Sequence, residues 1–222
     1  QGRRFRKYGK PEGLLHPTVT CLAEASDGSM GAGTYGELYR VAGGRATILR
    51  PSGAIQSGTI RAILRDRRDR MWVAVAGQGL WIWEHGKGTN LDKGPRLPSN
   101  SIFALAENPD GAIWAAAFDG SLTRLGGDPP ETAKFTSPLF DLWPDPEGGI
   151  WLASRWEGLR RFKGGQEVSL GASKGLPPRD ILGLFADREG NLWCRTQSEI
   201  YSVPLRDLRR AADGHPEKLR PT

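Results

Sequence analysis

The sequence predicts an all-β protein, a β-propeller of about five four-stranded blades, on three observations. First, 30 Gly and 16 Pro are scattered through the 222 residues, and both residue types interrupt helices. Second, a hydrophobic fraction of 38% with eight Trp is enough for a packed core. Third, a motif centred on Trp recurs about every 40 residues, which is the length of one propeller blade.

The repeated motif has fixed residue types at fixed offsets from the Trp. An Asp or Asn stands six residues before it, and a Gly stands three before it except in the copy where Asp69 takes that place. An earlier fifth copy keeps the turn residues but has Gly31 in the Trp position. The four apolar residue–Trp pairs are Met71-Trp72, Ile113-Trp114, Ile150-Trp151 and Leu192-Trp193.

Each offset has a structural reason. A short polar side chain followed by Gly favours a tight turn between the first and second strands of a blade. The second strands are apolar on both faces, as expected for sheets covered on both sides, so the Trp is predicted to lie in the core between blades. Examples of the strands expected in a blade are a second strand at 191–196, a third at 159–162 and a fourth at 166–170. On the third strand of the second copy, we expect Trp81 and Trp83 to face opposite ways.

The repeats divide the chain into blades at about 12–50, 51–94, 95–135, 136–171 and 172–205. Residues 206–222 are predicted to be an exposed connector or the start of a further blade. A strand at 4–8 could complete the last blade and close the ring. Alternatively, the five blades are an arc cut from a longer propeller of about seven blades, with apolar faces exposed at both ends.

Charge and composition argue against several function classes. The net charge is +6, but acids are interspersed even in the densest basic stretch, 61–70, which contains Asp66 and Asp69. This pattern favours a solvated turn, so we predict no nucleic-acid partner. Cys21 and Cys194 form no disulfide framework, and the three His have no ligand-spaced partner. We therefore predict no cofactor, no metal and no catalytic residues.

The motif resembles the two-component regulator propeller repeat. The likeness rests on copies such as residues 187–193 (DREGNLW) and on linkers such as Gly175-Leu176-Pro177, and it spans residues 12–205. The resemblance implies a periplasmic or extracytoplasmic sensor region of a bacterial signalling protein. It also implies that the parent chain carries a histidine kinase or cyclase output domain, and that any membrane attachment or homodimer arises through that parent chain.

Ligand sites in propellers lie where loops converge, so the loops before each first strand and between second and third strands are the candidates. Among them Arg155, Trp156 and Glu157 are the most distinctive, because a Trp between opposite charges could stack on a sugar or aromatic ring while the charges bond its rim. The alternative is a lid or a simply exposed Trp. The candidate residues are His16, Tyr35, Gln78, Asn100, Phe118, Asp119, Arg155, Trp156, Glu157, Arg179, Asp180 and Gln197.

We therefore predict a non-enzymatic sensor propeller that recognises a small molecule or a glycan. One alternative is a propeller lyase resembling streptogramin lyase, in which His16 could be the catalytic histidine. A second alternative is a protein-docking scaffold.

Overall fold

The computed structural model describes residues 5–49, 58–84, 87–91, 96–127, 130–177, 180–216 and 218–222. These residues contain nineteen β-strands and one α-helix. Blade 1 consists of β1 (Val19–Glu24), β2 (Met30–Thr34), β3 (Leu38–Ala42) and β4 (Arg45–Leu49). Blade 2 consists of β5 (Ile60–Arg65), β6 (Met71–Val75), β7 (Gly79–Glu84) and β8 (Lys87–Leu91). Blade 3 consists of β9 (Ile102–Glu107), β10 (Ile113–Ala117), β11 (Ser121–Leu125) and β12 (Glu131–Lys134).

Blade 4 consists of β13 (Leu139–Pro144), β14 (Ile150–Ser154), β15 (Gly158–Lys163) and β16 (Gln166–Leu170). Blade 5 consists of β17 (Gly183–Ala186), β18 (Asn191–Arg195) and β19 (Ile200–Pro204), followed by α1 (Leu205–Ala212). Each blade is one sheet of strands paired in chain order. This confirms the predicted β-propeller fold.

The chain forms two compact units. The first comprises residues 1–93 with 100–102, and the second comprises 94–99 with 103–222. Blades 1 and 2 belong to the first unit, and the second contains blades 4 and 5 and nearly all of blade 3.

The turn of the motif binds its own Trp. In blade 2 the Trp72 indole N–H donates to Asp66 at 2.8 Å, and the same bond joins Trp151 to Asp145 at 3.1 Å. The Gly three residues before the Trp adopts a positive φ, for example 95° at Gly148. At the odd copy Asp69 takes the same conformation, with a φ of 64°. The Asp six residues before the Trp thus helps to form the turn and also orients the indole.

Within the second unit, consecutive blades pack with opposite sides of their sheets in contact. We call the side that carries the motif Trp the Trp face. The Trp face of blade 3, with Trp114 and Leu122, packs on Ile150 and Leu152 of blade 4. The Trp face of blade 4, with Trp151 and Leu159, packs on residues of blade 5 that flank the next Trp: Leu192 and Cys194. Three of the four motif Trp are at most 6% exposed, as predicted, but Trp193 in blade 5 is 38% exposed.

Two expectations about side-chain and strand placement are wrong. Trp81 and Trp83 stack on each other, with ring centroids 5.6 Å apart and planes 13° apart, because residues two positions apart on a strand point to the same side. In addition, residues 5–8 are not a strand; Tyr8 packs on the core of blade 1.

The end of blade 5 includes residues that we expected to be an exposed connector or the start of a further blade. Helix α1 buries Leu205, Leu208 and Ala211, which recur at intervals of three and so lie on one side of the helix. After the helix the chain returns to β19, where the backbones of Ser202 and Thr222 exchange two hydrogen bonds of 2.9 and 3.1 Å. The C-terminal residues thus occupy the edge position that a fourth strand takes in the other blades.

Candidate functional site

The loops at one end of blades 4 and 5 are tied together by backbone hydrogen bonds. The turn between β14 and β15 donates from the N–H of Arg155 to the carbonyl of Pro138 at 3.0 Å, and from the N–H of Trp156 to the hydroxyl of Ser137 at 3.1 Å. The N–H of Ile181 donates to the carbonyl of Ser154 at 3.2 Å. The turn is therefore fixed against the segments that enter β13 and β17.

Trp156 projects from this fixed turn. Its side chain is 67% exposed, and the Arg155 guanidinium carbon lies 5.8 Å from its ring centroid, in the range of a cation–π contact. Arg155 Nε is also 4.0 Å from the carboxylate of Asp180. These contacts place a held charge over the indole ring and leave much of the indole surface accessible to solvent.

Glu157 is already engaged within the chain. Its carboxylate pairs with Arg160 and accepts a hydrogen bond from the hydroxyl of Thr136 at 3.2 Å. Of the two charges beside the Trp, Glu157 is therefore engaged with Arg160 and Thr136, whereas Arg155 contacts the indole and Asp180.

An aromatic cluster lies at the start of the first strands in the second unit. Phe118, a predicted site residue, contacts Phe103 and Phe140 at centroid distances of 5.3 and 6.0 Å, and Phe103 and Phe140 are 5.6 Å apart. Sequence analysis missed the latter two. Phe140 lies at a bulge in β13 between Leu139 and Asp141, and a bulge re-aims the side chain, which the sequence alone does not reveal.

Asp119 in the same region has a structural role. Burial raises its pKa, but the backbone N–H of Ser121 and the ammonium of Lys134 outweigh that effect and hold the pKa below its ordinary value. The bonds measure 3.0 Å each. Gln197 is exposed in the turn between β18 and β19, and Arg179 lies outside the described residues.

Four predicted site residues belong to the first unit. The rings of His16 and Tyr35 meet edge to face with centroids 5.5 Å apart, and His16 Nδ1 accepts the N–H of Thr18 at 3.3 Å. The carbonyl of Gln78 accepts a bond from Asn90 at 2.9 Å. Asn100 has a buried amide oxygen with no hydrogen-bond partner among the residues that the structure describes. The structure thus brings His16 and Tyr35 together.

Sequence analysis missed one acid, Asp141 on β13. Its two carboxylate oxygens accept the backbone N–H groups of Leu142 and Leu184, each at 2.8 Å. Burial raises its pKa to about 6, against the opposing effect of those bonds and of the Arg195 charge. A carboxyl group with this pKa titrates close to neutral pH, unlike the turn acids of the repeat.

Two features are absent from the described residues. No helix there has the length and apolar character needed to cross a bilayer. The same residues contain no cluster of three His, Cys, Asp or Glu side chains arranged to hold a metal ion.

Comparison with known proteins finds similarity in structure. No known family profile and no curated protein sequence matches the chain. The extracellular domain of a hybrid two-component system from B. thetaiotaomicron is similar with a TM-score of 0.73 and 22% identity, over 85% of this chain and 28% of that one. The extracellular domain of a one-component system from the same organism gives a TM-score of 0.69 and 15% identity, over 92% and 31% of the two chains.

A third similar structure is an enzyme. Virginiamycin B lyase from Staphylococcus aureus gives a TM-score of 0.66 and 11% identity, over 84% of this chain and 66% of the lyase. The chain spans less than a third of the two extracellular domains. At these identities the comparisons establish that the chain shares the propeller fold with signalling ectodomains and with a lyase.

Proposed function

We propose that this chain is a ligand-sensing propeller segment from the extracytoplasmic part of a bacterial signalling protein of the two-component regulator propeller type. It binds a small molecule or a glycan without catalysing a reaction, and an output domain in the parent chain transmits the signal. Membrane attachment and dimerisation belong to the parent protein.

The observation that carries the proposal is the exposed indole of Trp156 on a fixed turn. An exposed Trp costs free energy in water unless a ligand or partner covers it, and its flat face suits a sugar ring or an aromatic ring. The hydrogen bonds to Ser137 and Pro138 hold the turn before any ligand arrives, so little conformational entropy is lost on binding. The similarity to two extracellular domains of signalling systems supports this location and role.

The test is a ligand screen on the full chain by calorimetry and by quenching of tryptophan emission, with oligosaccharides and small metabolites. Trp156→Ala is expected to lower the affinity for any ligand that the screen identifies by about tenfold, the loss expected for one aromatic stacking contact. Phe5→Ala is the matched control, because Phe5 is a fully exposed aromatic residue in the N-terminal segment. Equal affinities of wild type and Trp156→Ala for every ligand found would refute this site.

The lyase alternative is supported by the structural similarity to virginiamycin B lyase. It predicts turnover of virginiamycin B that requires a divalent metal and is lost in His16→Ala. Binding without turnover in wild type favours the sensor.

A further inference from the structure

Blade 5 carries a pocket of about 440 Å³ on its Trp face. Its walls include Phe185, Trp193, Arg195 and Ile200, and Asp141 of blade 4 also lines it. Strand pairing explains the grouping: Phe185 is opposite Trp193, and Ile200 is opposite Arg195, so all four point to one side of the sheet. Phe185 and Ile200 are 65% and 66% exposed.

The pocket coincides with a departure from the repeat. Two residues after the Trp, the three earlier copies that contain a Trp have Ala74, Ala116 and Ala153, which are all fully buried. Blade 5 has Arg195 there instead. A repeat position that changes from a buried methyl group to an exposed guanidinium is no longer serving blade packing.

The residue opposite Arg195 has changed as well. It is Gly183, whereas Ala62 and Asp141 take that place in blades 2 and 4. A Cβ on Gly183 would lie 3.2 Å from Arg195 Nε. The glycine therefore leaves room for the guanidinium to lie over β17, where Nη2 donates to the carbonyl of Leu182 at 3.1 Å.

The chemistry of the lining defines the ligand. The charge of Arg195 acts on Asp141, but the guanidinium hydrogen bond among the described residues is the one to Leu182, so most of its donors remain available. A guanidinium binds carboxylates through two parallel hydrogen bonds, and the surrounding Phe185, Trp193 and Ile200 provide apolar walls. We propose that this pocket is a second binding site, distinct from the Trp156 turn, for a small organic carboxylate with an apolar ring or chain.

The test uses the full chain and phenylacetate as the probe, with phenylacetamide as its neutral match. Titrations are followed by tryptophan emission and by calorimetry. Phenylacetate is expected to bind saturably and more tightly than the amide. Arg195→Gln should weaken it by about 10- to 100-fold, the range for a hydrogen bond to a charged group, and Arg195→Lys should retain part of the affinity.

Two controls make the result specific. Arg188→Gln removes an exposed arginine from the turn of the same blade and should leave the affinity unchanged. Trp193→Ala should weaken binding, whereas Trp156→Ala should not, which separates this site from the proposed sensor site. Equal binding of acid and amide, or an unchanged affinity in Arg195→Gln, would overturn the proposal. So would concentration-dependent self-association that Ile200→Ser abolishes, because the face would then be an interface between copies.

Discussion

The stability of this protein should depend on pH through Asp141. Its pKa lies at about 6 in the folded chain, against an ordinary value of 3.8, because burial disfavours the charged carboxylate. The folded state therefore holds a proton more tightly than the unfolded state, and the free energy of unfolding must fall as the pH rises between these two values. The full difference corresponds to about 3 kcal/mol.

Part of this fall in the free energy of unfolding can be measured in a pH range where the turn acids do not titrate. The pKa of Asp187, for example, is held below its ordinary value first by the backbone N–H of Asn191, so its contribution is lost only in more acidic solution. Between about pH 4.5 and about pH 7.5, Asp141 alone should lower the free energy of unfolding by about 2 kcal/mol. Urea denaturation across this range, followed by circular dichroism, measures the slope.

The perturbation is Asp141→Asn, which removes the charge. The stability of the variant should no longer fall over this pH range, because an Asn side chain does not titrate. The substitution also changes the absolute stability, because one backbone N–H then faces an amide nitrogen. Asp187→Asn is the control: it should lower stability by a constant amount and keep the wild-type slope. A slope that persists in Asp141→Asn would refute the assignment of this titration to Asp141.

Two further pairs of variants test the packing. Arg209→Gln should destabilise the chain by about 2 kcal/mol in a urea titration, because it removes two hydrogen bonds of 2.7 and 3.0 Å from the buried carboxylate of Asp145. Arg206→Gln, at an exposed position of the same helix, is the control and should change stability by less than about 0.5 kcal/mol. Equal effects of the two substitutions would contradict the argument. Gly31→Ala should stabilise blade 1 by about 0.5–1 kcal/mol, since a Cβ there meets its neighbours at ordinary distances beside a cavity of about 50 Å³. Gly33→Ala should instead lower the melting temperature, because its Cβ would overlap the side chains around it. A higher melting temperature for Gly33→Ala than for Gly31→Ala would show that the missing Trp leaves no usable space.

The repeat predicts those parts of the fold that depend on local chemistry. The fourth strand expected at 166–170 is β16, and the second strand expected at 191–196 is β18, Asn191–Arg195. Turn formation by Asp or Asn and Gly is decided within a few residues, so five aligned copies reveal it. The turn acids are predicted to accept hydrogen bonds from the local backbone, and Asp66 also accepts one from the indole of Trp72. Turn propensities alone could not predict this second bond.

The parts that sequence analysis did not predict depend on contacts distant in the chain. Helix α1 contains the apolar spacing Leu205, Leu208, Ala211, but eight residues are too few for a helix to be stable by itself. It is held by packing and by the ion pair between Arg209 and Asp145, which are separated by 64 positions. The composition argument against helices applies to the repeats and fails for the segment that follows them.

The candidate sites show the same division. Trp156 could be identified from sequence because a loop position predicts exposure, and its exposed indole agrees with that prediction. Arg195 could also have been found, since aligning the copies places it where Ala74 and Ala153 stand. What the alignment could not show is the exposure of that face among the described residues, where Phe185 and Trp193 are 65% and 38% exposed. In a repeat protein, a departure from the consensus therefore indicates function most strongly where the structure also leaves the altered position uncovered.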